Sequence, residues 1–238
     1  MSNFRPVLNQ QLDAARLHDA FAEHGRIRIS TFLEPICAEQ LHAALRARGD
    51  WHRVISNGGT VTELTRAAWE SVSAQQRVQV DEAVYAAARS GFQFRYETIR
   101  VADADENRRG SDDPLAILAS WMSGGTVRDL LRTITGQDGV EFVDAQATAF
   151  SPGDFLTGHD DVVEGRKRHA AYVLGLNPTW RTEWGGLLLF HDGGGVVGQA
   201  PGFNTLDLFS VGQMHSVSEV NRAAAYRRYS VTGWLRSR

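Results

Sequence analysis

The chain has 238 residues, 42% of them hydrophobic and 22% charged, with a formal net charge of -3. That is enough chain for one sizeable core, and it carries neither the basic footprint nucleic acid demands nor a run of about 20 apolar residues able to cross a membrane. The first twenty residues, MSNFRPVLNQQLDAARLHDA, lack the apolar centre of a signal peptide, so nucleic acid and membrane are excluded as expected partners and a cytoplasmic location is expected. In chain order, Leu17 and Phe21 share one helical face ahead of Gly25, RIRIS (Arg26 to Ser30) alternates as a short strand, and Pro35 opens a helix carrying Cys37, Leu41 and Leu45 toward Gly49. Cys37 is the single cysteine, so no internal disulfide is possible, and its spacing to Leu41 predicts a buried thiol. Ser73 and Gln76 have capping-box spacing ahead of Val80, Val84 and Ala88, and Asp113-Pro114 has the form of an N-cap with a first-turn proline. GFQFRYETIRV, Gly91 to Val101, alternates aromatics as a strand does, and Val127, Leu130, Leu131 and Ile134 form a helical stripe closed by Gly136.

Beyond Gly136 the pattern changes. VEFVDAQATAF, DFLTGH, RHAAYVLGLN, GGLLLFHD, NTLDLFSV, QMHSVSEV and YRRYSVTGWL follow one another, separated by Pro152-Gly153, Asn177-Pro178, Gly185-Gly186, Gly193-Gly194-Gly195 and Pro201-Gly202. Short strands at close spacing with turn chemistry between them predict a sandwich or jelly roll rather than a parallel sheet. No boundary interrupts the chain, so one α+β domain over residues 1–238 is expected, with helical support mainly in 1–136 and the β core mainly in 140–236.

The chemistry concentrates in GDFLTGHDDVVEG. His159 and Asp161 are two apart, so at a strand end both side chains project to one side. His215, in QMHSVSEV, offers a third donor from a distant strand. Two imidazoles and one carboxylate form the donor set of non-haem Fe(II) oxygenases, in which one face of the octahedron stays open. A His-x-Asp pair at a bend also reads as a solvated turn, and a lone His215 as a packed histidine. The feature that favours the metal reading lies downstream: RRYSVTGW sets Arg228 and Ser230 two apart on one strand face, and a guanidinium fork beside a hydroxyl is suited to a bidentate grip on a carboxylate.

SPGDFLTGHDD, RHAAYVLGLNPTW with EWGGLLLF, FNTLDLFSV, His215 and RRYSVTGWL together resemble the 2-oxoglutarate- and Fe(II)-dependent oxygenases of the prolyl hydroxylase superfamily, and within it the ribosome-directed branch. The resemblance is strongest from Phe142 to Trp234. It implies a double-stranded β-helix (jelly-roll) core buttressed by N-terminal helices, Fe(II) held by His159, Asp161 and His215, and Arg228 gripping the distal carboxylate of 2-oxoglutarate. Ser230 and Tyr172 are implied as further co-substrate contacts. Relatives place an aromatic hydroxyl on the strand of Tyr172, but the aligned position is Gly175, where this chain departs from the pattern. Asp160, between the ligands, is expected behind them or at the surface.

The implied activity is that of a 2-oxoglutarate-dependent dioxygenase: a hydroxylase of prolyl residues in a protein or peptide, ribosomal or translation-related, consuming O₂, releasing succinate and CO₂, with ascorbate as a candidate reductant. Two alternatives stay open: hydroxylation of a free amino acid or small biosynthetic metabolite, and a non-catalytic cupin-like metal-binding module. Arg228 and Ser230 argue against the module, which has no need of a dicarboxylate anchor, and zinc hydrolysis on the same donors with a bound water is a weaker reading. His191 and Asp192 are adjacent and point to opposite strand faces, so they and His169 are read as turn and surface residues, and His18, His24, His42 and His52 as packed or solvated. The polar segments Ser56 to Thr60, Ala102 to Asp113 and Asp192 to Gly202 are the expected walls of a substrate site.

Overall fold

The computed structural model of the protein describes residues 4–57 and 60–238. Helix α1 (Ala14–His24) starts at Asp13, whose carboxylate accepts from the Ala15 and Arg16 N–H groups, and stops at Gly25, which takes the left-handed conformation a helix end favours. β1 (Arg26–Ser30) and α2 (Pro35–Ala47, with proline in its first turn) follow, and the Cys37 thiol is buried as expected. α4 (Ala74–Ala88) has the capping box of Ser73 and Gln76, α6 (Pro114–Ser123) is capped by Asp113, and α7 (Gly125–Thr135) closes on a left-handed Gly136.

Two expectations for the N-terminal part need correction. It is less helical than its apolar spacing suggested: besides β4 (Phe94–Arg100), the strand expected in Gly91 to Val101, it holds β2 (His52–Asn57) and β3 (Thr60–Thr65), an antiparallel hairpin that pairs with β4, with α3 (Arg66–Ser71) after it. Most of the segment Ser56 to Thr60 therefore belongs to a hairpin rather than a wall, and its Gly58 and Gly59 lie outside the described residues. Ala102 to Asp113 likewise contains a short helix, α5 (Asp105–Arg108), and the Arg108 guanidinium is buried, donating to the carbonyls of Ala102, Asp103 and Val143.

The C-terminal part supplies β5 (Phe142–Val143), β6 (Gln146–Phe150), β7 (Phe155–His159), β8 (Arg168–Leu176), β9 (Leu188–Asp192), β10 (Gly195–Gln199), β11 (Phe203–Ser210), β12 (His215–Val217) and β13 (Arg228–Arg236). Asp192 to Gly202, expected as a loop, is largely the β9–β10 hairpin. All strands join one antiparallel sheet whose main path is β1-β11-β8-β13-β6-β4-β7-β12-β9-β10. Phe190 of β9 meets Phe209 of β11 edge-on at 5.1 Å between ring centroids, although six strands separate them along that path, so the sheet curls back on itself into two facing layers. This is the jelly-roll core.

The period of two sorts each strand's residues. Tyr172, Leu174 and Leu176 of β8, Leu206 and Leu208 of β11, and Val231 and Leu235 of β13 pack outward under the helices against Phe32, Leu41, Trp51, Leu118, Met122 and Leu131. Ala171, Val173, Phe209 and Trp234 face inward with Leu188 and Phe190 of the opposing layer. The helical side therefore stiffens one layer, and the space between the layers is left for chemistry.

Asn204 ties the two sides together. It sits at a left-handed φ of 56° beside the bulge in β11, its Oδ1 accepts from Leu33 N at 2.9 Å, and its Nδ2 donates to Leu33 O at 2.7 Å. Asn204→Ala should cost about 3 kcal/mol in urea unfolding, since it leaves two buried backbone groups unpaired and puts alanine in an unfavourable conformation.

Candidate metal centre and co-substrate cavity

The turn that delivers β7 is pinned from below. Asp154 is 1% exposed; it accepts from Arg53 Nη1 at 2.7 Å and from Ser151 N at 2.8 Å, and Arg95 Nη2 donates to Gly153 O at 2.6 Å. β7 then runs antiparallel to β12 with His159 directly opposite His215, and their ring centroids are 4.1 Å apart. Asp161 adopts a left-handed φ of 63°, a conformation aspartate tolerates better than most residues. The bend turns its carboxylate between the imidazoles, with Oδ1 3.5 Å from His159 Nε2 and Oδ2 3.5 Å from His215 Nε2. The three donor atoms lie within 4.8 Å of one another.

The other nitrogen of each ring is committed. His159 Nδ1 lies 3.0 Å from Thr157 O, and His215 Nδ1 lies 2.8 Å from Gln213 O. A carbonyl oxygen can only accept, so both rings carry hydrogen on Nδ1 and turn the Nε2 lone pair toward Asp161. Burial, then the neighbouring His159, lowers the pKa of His215 below the ordinary histidine value, which favours the neutral, ligating form. Two such nitrogens and a carboxylate on one side fit a ferrous ion and leave its other positions free. Asp160 is not part of the cluster; its Oδ1 accepts from Val162 N at 3.0 Å in a local turn.

A cavity of about 440 Å³ between the sheet layers is lined by all three of these residues and by Arg228. Arg228 is 3% exposed, Nη1 donates to Ser230 Oγ at 3.2 Å, and that hydroxyl is 2.8 Å from Thr148 Oγ1. Its Nε is buried without a partner, and among the described residues no carboxylate lies within ion-pair distance of it. Burial pulls the guanidinium down to about 10 from the ordinary arginine value, so it stays charged at neutral pH, and holding it so costs about 3 kcal/mol. The Phe150 ring lies 5.2 Å from Arg228 Cζ, and the planar guanidinium fork is of the kind suited to a carboxylate.

Tyr172 needs correction. Its ring lies in the outward-facing core, and its hydroxyl donates to Asp144 O at 2.9 Å. Ala171 and Val173 take the inward positions of β8, and although Tyr172 also borders the cavity, its hydroxyl is committed to the Asp144 carbonyl. At Gly175 a Cβ would stand 2.7 Å from Gly202 O and 2.9 Å from Thr205 Oγ1. No aromatic side chain fits there. Across the strand pairing, Gly175 is flanked by Ser230 on one side and Thr205 on the other. His169 and His191 stand apart from the cluster, bonded to Ser237 Oγ at 3.1 Å and Ser216 Oγ at 2.9 Å.

One pair in the cavity wall was not anticipated. The Arg168 guanidinium stacks 3.6 Å over the Trp234 ring, and its Nη1 donates to the Asp161 carbonyl at 3.0 Å. Trp234 lies in step with Arg228 and Ser230 on β13, so the same alternation that found those two could have found it. No described residue of the three polar segments expected as walls lines the cavity, whose apolar side includes Phe92, Phe94, Leu156, Val162 and Val163.

Residues 145–236, which contain every residue of this cluster, match the family model described as the 2OG-Fe(II) oxygenase superfamily. Solved structures share the fold over most of the chain. A prolyl-4-hydroxylase from Pseudomonas putida superposes with a TM-score of 0.63 at 21% identity, covering 95% of this chain and 100% of that one. A prolyl hydroxylase from Trichoplax adhaerens, in complex with a hypoxia-inducible-factor oxygen-degradation-domain peptide fragment, gives 0.59 at 19% identity, covering 94% and 89%. In sequence, 117 residues are 32% identical to prolyl 3-hydroxylase OGFOD1 of Mus musculus, 45% of this chain and 21% of the relative, so the chain spans about a fifth of that protein.

Asp161→Ala should weaken Mn(II) binding, followed by the loss of free-ion electron paramagnetic resonance signal, by more than about 100-fold, and Asp160→Ala by less than about threefold. Arg228→Met should stabilise the ligand-free protein by about 1–3 kcal/mol in urea unfolding while removing any stabilisation by 2-oxoglutarate, because an uncompensated buried charge is replaced by an apolar chain.

Proposed function

We propose that the protein is a 2-oxoglutarate- and Fe(II)-dependent hydroxylase of prolyl residues in a protein or peptide, releasing succinate and CO₂. The observation that carries this reading is the placement of an unpaired, buried Arg228 in the same cavity as His159, Asp161 and His215. A metal site alone would fit a sensor or a hydrolase; a metal site sharing its cavity with a buried guanidinium fork fits a dicarboxylate co-substrate.

In this reading His159, Asp161 and His215 hold the iron on one side. Arg228 and Ser230 fix the distal carboxylate and so orient the 2-oxo acid toward the metal. When bound, Fe(II) and 2-oxoglutarate together would supply the electrons by which O₂, the oxidant, is activated. The protein's own contribution is orientation and water exclusion: Leu188, Phe209 and Val217 line the cavity beside the cluster. Arg168 braces the backbone of Asp161 and, stacked on Trp234, presents a flat wall to an incoming residue.

The substrate class follows from the mouth and from the relatives. Phe92 is 52%, Val162 62% and Val163 44% exposed at the cavity rim, more apolar surface than a free, zwitterionic amino acid would require and suited to a peptide segment centred on a proline ring. The proteins it is similar to are named as prolyl hydroxylases, one solved with a peptide. A ribosomal or translation-related target, a cytoplasmic location and ascorbate as reductant are further parts of the proposal, motivated by the motif resemblance.

Succinate release by the Fe(II)-loaded protein should rise about tenfold or more over background with proline-containing peptides and not with free proline, and intact-mass spectrometry should show one added oxygen per peptide. Release driven equally by free amino acids would shift the substrate to a small metabolite; metal binding with no succinate under any condition would leave a non-catalytic module. Co-substrate affinity should be level between about pH 7 and 9 and fall as the pH passes about 10, where Arg228 loses its proton; titration calorimetry reads this directly.

A further inference from the structure

A row of rings on the inward side of β4 joins the two ends of the cavity. Phe92, Phe94 and Tyr96 alternate along this segment and all three line the cavity. Arg95 and Glu97, between and beside them, turn the other way, Arg95 to the Gly153 carbonyl and Glu97 to Arg66 and Arg227. The Phe92 ring centroid stands 5.4 Å from that of His159 and 5.6 Å from Phe94, and Phe94 stands 5.6 Å from Tyr96. Tyr96 then stacks on Phe150 of β6, 5.0 Å away with 19° between the planes, and the Phe150 ring lies 5.2 Å from Arg228 Cζ. One unbroken wall of contacts runs from a metal ligand to the buried guanidinium.

Strand order gives Tyr96 its place in that wall. The sheet path reads β13-β6-β4-β7, with Arg228 directly opposite Phe150 and Phe94 directly opposite Leu156. β4 therefore lies between the strands that supply Arg228 and His159. Neighbouring strands are about 4.8 Å apart, so a molecule gripped by Arg228 and reaching the metal cluster passes over β4, where Tyr96 carries the one hydroxyl in the row of rings.

That hydroxyl has a hydrogen to give. Gln146, also in the cavity wall, turns its Oε1 to Thr98 Oγ1 at 3.3 Å, which leaves its amide Nε2 to meet the Tyr96 oxygen, and an amide N–H can only donate. The phenolic hydrogen is not used in that contact. Burial raises the phenol above its ordinary value, so the hydrogen stays in place at neutral pH. Thr148, the adjacent hydroxyl of the wall, is already engaged with Ser230 Oγ at 2.8 Å.

We propose that Tyr96 is a co-substrate-binding residue: its hydroxyl donates to the carboxylate at the metal end of the 2-oxo acid, two strands away from the end that Arg228 grips. The inference rests on the co-substrate reading given above. It assigns the two ends of one ligand to two side chains, so the two can be lost separately.

The test is calorimetric titration of the Mn(II)-loaded protein, without oxygen, with 2-oxoglutarate and with oxalate, a metal chelator that has no distal carboxylate. Tyr96→Phe keeps the ring and its stacking and removes only the hydroxyl. It should weaken both ligands about tenfold, the size expected for one hydrogen bond to a charged group, and leave Mn(II) affinity within about twofold. Arg228→Met should weaken 2-oxoglutarate alone. Tyr96→Phe binding both ligands within about twofold of the parent would overturn the proposal, as would a loss confined to 2-oxoglutarate, which would put the hydroxyl at the distal end. A parallel fall in Mn(II) affinity would make the role of Tyr96 structural and overturn it as well. A parent protein that binds oxalate but not 2-oxoglutarate would instead overturn the reading of Arg228, and with it the co-substrate named here, whatever Tyr96→Phe does.

Discussion

Keeping the Arg228 guanidinium charged inside an apolar double layer is the constraint around which the rest of the molecule is arranged. A buried cation without a counterion is costly, and a fold bears that cost only if enough apolar area is secured elsewhere. Here it is secured on the other face of the same strands. Val231 and Leu235 of β13, with Leu174 and Leu176 of β8 and Leu206 and Leu208 of β11, disappear beneath α2, α6 and α7. The helices thus do more than cover a sheet. They stabilise one layer so firmly that its inner face is free to carry polar groups with unmet hydrogen-bonding capacity, among them Arg228 Nε, Thr205 Oγ1 and Trp234 Nε1.

The metal cluster depends on the same curled sheet but is solved differently. Its three donors come from one β7–β12 pairing and the residue two past its end, so a single strand register sets the His159–His215 separation. Nothing in that arrangement requires the helical layer. What it does require is that both imidazoles be fixed in rotation and tautomer, and the backbone does this through the carbonyls of Thr157 and Gln213, each two residues before its histidine. Repetition of one local device at both histidines makes the site insensitive to side-chain substitutions around it.

Much of this was legible in the sequence, for reasons that can be traced to particular residues. Helix ends were readable because Ser73, Asp113, Gly25 and Gly136 perform local tasks that only a few residue types perform. His159 with Asp161, and Arg228 with Ser230, were readable because the strand period puts alternate residues on one side. The same rule failed for Tyr172. In RHAAYVLGL both faces of β8 are apolar, so alternation gives no sign of which parity looks inward, and the phase is fixed only by pairing with β11 and β13. The β2–β3 hairpin and β10 escaped for a different cause: HRVISN and GVVGQ are short and half polar, and what makes them strands is the neighbour each pairs with.

Gly175 is where the chain's own solution departs most from the pattern it resembles. The space a side chain would enter there is filled by the Gly202 carbonyl and the Thr205 hydroxyl, brought in by the bulge of β11 beside Asn204. Gly202 O is itself satisfied, accepting from Asn177 N at 3.0 Å, so the crossing is built into the fold and is not a gap awaiting a ligand. Removing an aromatic hydroxyl from a carboxylate site takes away a donor without changing its charge. What this chain keeps around Gly175 is a pair of hydroxyl-bearing neighbours, Ser230 and Thr205, across the strand pairing, with the Ser230 hydroxyl held between Arg228 Nη1 and Thr148 Oγ1; the donors that the fold sets there are hydroxyls fixed by strand register rather than by an aromatic ring.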